Sequence, residues 1–89
     1  MTDNSESSRK YGIDPIFVGQ HLPYLTEFNQ ESIERYTDAI TRLIFNYKLN
    51  SPERLSFLKD CVQKSIPKSY PKDFVEIVEE IFLELGESL

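Results

Sequence analysis

The sequence predicts an all-α fold, and three observations carry that prediction. Apolar residues recur at helical spacing in three long segments. Period-two alternation nowhere exceeds four residues, and Asn-Gly or Asp-Gly hairpin turns are absent. Asp14-Pro15 and Ser51-Pro52 each pair an N-cap residue with proline at the first helical position, where a missing N–H costs nothing. The expected architecture is a small bundle of three main helices, about 29–49, 51–66 and 71–85, with a short N-terminal helix at about 14–22.

The first ten residues, MTDNSESSRK, are polar, charged and without periodicity, the composition of a disordered tail. Ser5, Ser7 and Ser8 could accept phosphate, or the tail could simply aid solubility. Residues 11–89 form the single expected domain. The short helix should stop at Pro23 and lay Ile16, Phe17 and Leu22 as a lid over the longer helices, with Gly19 weakening it.

In the next segment Asn29 is a good N-cap and Asn50 a plausible C-cap. At about 100° per residue, Ile33, Tyr36, Ile40, Leu43, Ile44 and Tyr47 share roughly one third of the circumference, the stripe of a core-facing helix. Phe45 and Leu49 fall about 100° or more from its centre, among the charges. They are expected either to extend an apolar patch for self-association or a partner, or to be covered by the N-terminal lid.

Ser51, Pro52 and Glu53 announce the third main helix, whose inner face is Leu55, Leu58, Cys61, Val62 and Ile66. Pro67 ends it, because the residue before proline disfavours helical angles. The short link after Leu49 predicts a tight antiparallel or steeply crossed hairpin with the preceding helix. Ser69 or Tyr70 should then cap the last helix, with Pro71 in its first turn and Gly86 at its C′ position. Phe74, Val75, Ile77, Val78, Ile81, Phe82 and Leu85 span roughly 160° of it, wider than a minimal stripe. Such a helix is expected at the centre of the bundle, or with one side of its stripe against another molecule. Its other side holds Glu76, Glu79, Glu80 and Glu84, with Leu83 alone among them.

With 89 residues there is room for one domain. A chain this short buries only roughly 60% of its unfolded surface, which favours support from a partner or a second copy. The lone cysteine, Cys61, excludes an intramolecular disulfide and points to a reducing compartment. No secretory signal precedes the domain, and no apolar run approaches the ~20 residues needed to span a bilayer. A soluble, cytoplasmic protein is expected. The net charge of −5 is unevenly spread: residues 51–70 sum to +2 and residues 71–89 to −5.

Little in the chain supports catalysis. Cys61 and His21 are the only thiol and imidazole, and no motif links them. A structural zinc site needs three or four such ligands. Di-iron bundles use glutamates at i, i+3 and i, i+4, but pointing inward and joined by Glu-x-x-His, which is missing here. GxxxxGK[ST], GxGxxG and GxSxG are also absent. The expectation is therefore a non-enzyme without metal or cofactor.

The pair 51–66 and 72–85 could pass for a helix-turn-helix, but its second helix would bring glutamates to DNA. That leaves a nucleic-acid-binding regulator using Lys59, Lys64 and Lys68 as the alternative reading. Membrane binding is disfavoured for the same reason of charge. The favoured reading is a protein-interaction module, an adaptor or inhibitor, that meets a partner of basic or apolar surface through Glu76, Glu79, Glu80, Leu83 and Glu84, with Phe45 and Leu49 as a second patch. A homodimer is one form it could take. The competing explanation is that an acidic back only keeps an oily helix soluble.

Overall fold

The computed structural model describes residues 11–88. The expected disordered tail, residues 1–10, lies outside them. Four helices follow in order, α1 (Pro15–His21), α2 (Gln30–Tyr47), α3 (Pro52–Lys64) and α4 (Phe74–Ser88), and no strand occurs among the described residues. The all-α bundle predicted from periodicity is the fold.

Helix starts follow local chemistry. The Asp14 carboxylate accepts from the Ile16 N–H at 3.1 Å, and the Ser51 hydroxyl from the Arg54 N–H at 3.2 Å. Asn29 Oδ1 accepts from both the N–H and the hydroxyl of Ser32, at 2.9 and 3.0 Å. Each bond satisfies a donor that the first turn otherwise leaves unpaired. Ser51→Ala is expected to lower stability by about 1 kcal/mol in urea unfolding. Asn29→Ala should cost more, about 2 kcal/mol, because the buried Ser32 hydroxyl also loses its acceptor.

Three boundaries differ from expectation. α2 closes at Lys48, not Asn50: Lys48 adopts the left-handed conformation (φ 52°, ψ 49°), and the next N–H, that of Leu49, donates back to Ile44 O at 3.1 Å. That early turn swings Leu49 into the core, where it is 3% exposed. α4 begins at Phe74 instead of Pro71, because two successive turns, Tyr70 N–H to Pro67 O and Phe74 N–H to Pro71 O, first bring Tyr70 and Phe74 together. Gly86 lies inside α4, not beyond it. A Cβ there would stand 3.3 Å from Leu55 Cδ2, so this glycine serves the close approach of α3 to α4.

α3, not α4, is the shared neighbour, packing closely on both α1 and α4, while α1 also meets α2. α2 and α3, although joined by a short link, are not among these close pairs, so of the two expected hairpins the side-by-side antiparallel one does not form. Leu58, Cys61 and Val62 of α3 are buried, as are Tyr36, Ile40, Leu43 and Ile44 of α2. From α4 come Phe74, Val78, Ile81 and Phe82, while Val75 at the edge of its wide arc stays partly in water. α1 anchors through Val18, fully buried, whereas Ile16 is 71% exposed and Phe17 and Leu22 are half-buried. The expected lid therefore holds by a different residue. Around Phe74 the rings of Phe28, Tyr36 and Tyr70 all pack edge-on at centroid distances of 4.8–5.6 Å from a neighbour in the cluster.

Candidate docking surface

On the α4 wheel, Phe74, Val78, Ile81 and Phe82 turn inward, which forces Glu76, Glu79, Glu80 and Glu84 outward, and all four are exposed. The structure divides them between two flanks. Glu79 leans toward α3, where its carboxylate lies 3.9 Å from Lys59 Nζ, the Glu79 side chain being exposed and that of Lys59 half-buried. A pair that long, with one partner in water, contributes little to stability. Glu80 and Glu84 lean the other way, toward α2.

On the α3 flank an apolar cleft of about 340 Å³ runs between Pro52, Leu55, Phe82 and Leu83. Leu83, 67% exposed, is thus the outer rim of that cleft and not an isolated residue among glutamates. On the α2 flank a groove of about 460 Å³ separates α2 from α4. Its rim is acidic, with Glu34 and Asp38 from α2 facing Glu80 and Glu84 from α4. Ile33, Ile77, Ile81 and Leu85 line it below the rim, and among the described residues no lysine or arginine borders it. The α2 carboxylates were not among the expected site residues. Their i, i+4 spacing puts them on one face, but nothing in the sequence tells that this face meets α4.

The other expected residues are not brought into this surface. Phe45 is 76% exposed on α2 but borders neither groove. Leu49 is in the core, so the two do not form one surface patch.

The nucleophile and base of the sequence lie in unhelpful settings. His21 is exposed, with Nδ1 3.2 Å from Phe17 O and its ring against Phe17. Cys61 is buried, and burial pushes its thiol up from 9.0 to about 11, with Asp60 adding to the rise and Lys64 opposing it. A thiol kept protonated is a poor nucleophile. Burial likewise pushes the Tyr36 hydroxyl from 10.0 to about 12, with Tyr70 adding to it. Among the described residues no cluster of three or more His, Cys, Asp or Glu is placed to hold a metal ion, and no helix is long and apolar enough to cross a membrane.

Both raised groups make stability fall in alkali. The folded chain keeps protons that the unfolded chain releases, so their contribution is complete below about pH 9. It is lost as pH rises through 9.0 to about 11 for Cys61 and through 10.0 to about 12 for Tyr36. Urea midpoints measured from pH 7 to 11 should fall above pH 9, and Cys61→Ala should flatten the first part of the fall. Reaction of the native thiol with a disulfide reagent at pH 8 should be at least roughly a hundredfold slower than in urea.

No protein family, curated protein or solved structure matches the chain.

Proposed function

We propose that the chain is a protein-interaction module, an adaptor or inhibitor, that docks a partner of basic or apolar surface through the outer face of α4. One observation carries the reading: Leu83 stands in water at the lip of an apolar cleft, on a helix whose only charged residues are glutamates. Glutamates at i, i+3 and i, i+4 each cost an isolated helix a few tenths of a kcal/mol, and an exposed leucine gains nothing for the fold. A cationic partner with an apolar anchor would relieve both. The same charges would steer it toward the face before contact.

The reading places the chain in a reducing compartment such as the cytoplasm, where its free thiol is stable. It includes a second copy of the chain among the partners, contributing the net-positive α3 segment. The nucleic-acid alternative has less behind it. Lys59 faces Glu79 at 3.9 Å and Lys64 faces Asp60 at 3.1 Å, so two of its three lysines already have carboxylates beside them.

Capture from native lysate, at low and at moderate salt, tests the reading with wild type against a Glu79→Lys, Glu80→Lys, Leu83→Ala variant of unchanged helicity. Retention of a basic partner should fall by roughly tenfold or more in the variant, and in wild type it should weaken as salt rises. Equal retention by both would reduce the acidic face to a solubilising role. Salt-sensitive binding of duplex DNA, lost in Lys59→Glu/Lys64→Glu, would favour the regulator.

A further inference from the structure

We infer that the groove between α2 and α4 receives about two turns of a cationic amphipathic helix. This rests on the docking reading and adds a second seat, on the flank of α4 opposite the Leu83 cleft, together with the shape of the segment that fills it. The lining runs from Gln30 to Asp38 on α2 and from Ile77 to Leu85 on α4. Eight residue steps at about 1.5 Å give about 12 Å, slightly more than two helical turns.

The chemistry of the groove selects its occupant. Ile77, Ile81 and Leu85 form an i, i+4 row, the kind of ridge into which a second helix packs its own side chains. Glu34 and Asp38 on one bank and Glu80 and Glu84 on the other offer only acceptors at the rim, together with the mixed groups of Gln30 and Thr37. A helix satisfies its own backbone N–H and C=O groups, so its apolar stripe can sit over the isoleucines while flanking lysines and arginines reach both banks. An extended segment would set backbone N–H and C=O groups over an apolar floor with few partners. Nucleic acid and anionic lipid are repelled by the rim. A bare metal ion would leave the apolar floor in water.

The test uses the full chain and three synthetic probes: a lysine–leucine peptide patterned for an amphipathic helix, its scrambled isomer of identical composition, and a glutamate–leucine counterpart. Binding is read by calorimetry at low salt and by amide chemical shifts. The patterned peptide should bind at least roughly tenfold more tightly than the scramble and shift Ile33, Thr37, Ile77 and Ile81. Glu34→Lys/Glu80→Lys should weaken it by roughly tenfold or more, while Glu79→Lys/Leu83→Ala should leave it within about twofold. Circular dichroism confirms that both variants keep their helicity. Equal binding of patterned and scrambled peptides would overturn the groove assignment, as would shifts confined to Glu79, Leu83 and their neighbours, and either result would leave the outer-face reading standing. No binding of either cationic peptide, or preference for the glutamate peptide, would overturn both.

Discussion

Phe74→Ala is expected to remove about 3–5 kcal/mol of stability, the range for deleting a large ring from a packed core. Phe74 is 1% exposed and meets three other rings: Tyr36 at 5.0 Å, Tyr70 at 5.3 Å and Phe28 at 5.6 Å. Truncation leaves a cavity that these neighbours cannot fill without moving helix backbones. It also frees Tyr70, whose hydroxyl accepts from the buried Leu25 N–H at 2.6 Å and so ties the α1–α2 connection to the start of α4. Chains of this length carry on the order of 4–13 kcal/mol in total. The loss is thus from about a quarter of that total to all of it, and the melting temperature and urea midpoint should both fall steeply. Thermal and urea unfolding followed by circular dichroism would show it, and Phe74→Leu should recover most of the loss.

Arg54→Ala should have the second largest effect, about 2–3 kcal/mol. Its guanidinium donates from Nε to Tyr11 O at 3.0 Å, from Nη2 to Tyr47 O at 3.0 Å and from Nη1 to Lys48 O at 3.5 Å. Two of those carbonyls belong to the C-terminal end of α2, where the helix leaves acceptors unpaired and concentrates partial negative charge. One side chain thus fastens the end of α2, the first turn of α3 and the entry to the domain. Arg54→Lys should restore less than half of the loss, because a point donor cannot serve three divergent acceptors. Since the position of α2 sets one bank of the acidic groove, Arg54→Ala should also raise amide exchange along Gln30–Asp38.

How much of this was legible in the sequence differs by feature. The helix starts were, because Asp14, Asn29 and Ser51 act through bonds to N–H groups two or three residues away. Inward faces were legible for the same reason: periodicity names the face without needing to know the neighbour. Helix ends were less so. Lys48 takes a left-handed turn usually given to glycine or asparagine, and what holds it there, the burial of Leu49 and the bonds from Arg54, lies beyond the helix itself. Gly86 read as a stop because its close approach to Leu55, thirty-one positions earlier, has no local signal. For Leu49 the sequence left a surface patch and burial both open, because an ideal wheel extended past the true helix end set it among the charges; the early turn at Lys48 decides for burial.

The candidate surface follows the same division. That Glu76, Glu79, Glu80 and Glu84 point outward is a property of one helix and could be read from it. Their division into a Lys59 flank and an α2 flank depends on which helices pack on either side of α4, a tertiary fact. Glu34 and Asp38 were invisible as site residues on that account, although their sequence spacing was plain.

If carboxylates on α4 lie against a cationic partner, zero-length coupling of carboxylates to amines in lysate will join the two proteins. Carbodiimide joins only groups already in contact, and mass spectrometry then identifies both ends. Intermolecular links are expected from Glu76, Glu79, Glu80 or Glu84 to lysines of a partner, diminishing as salt is raised. Intermolecular links that run only from Lys59, Lys64 or Lys68 to carboxylates of another protein, with none from α4, would contradict it.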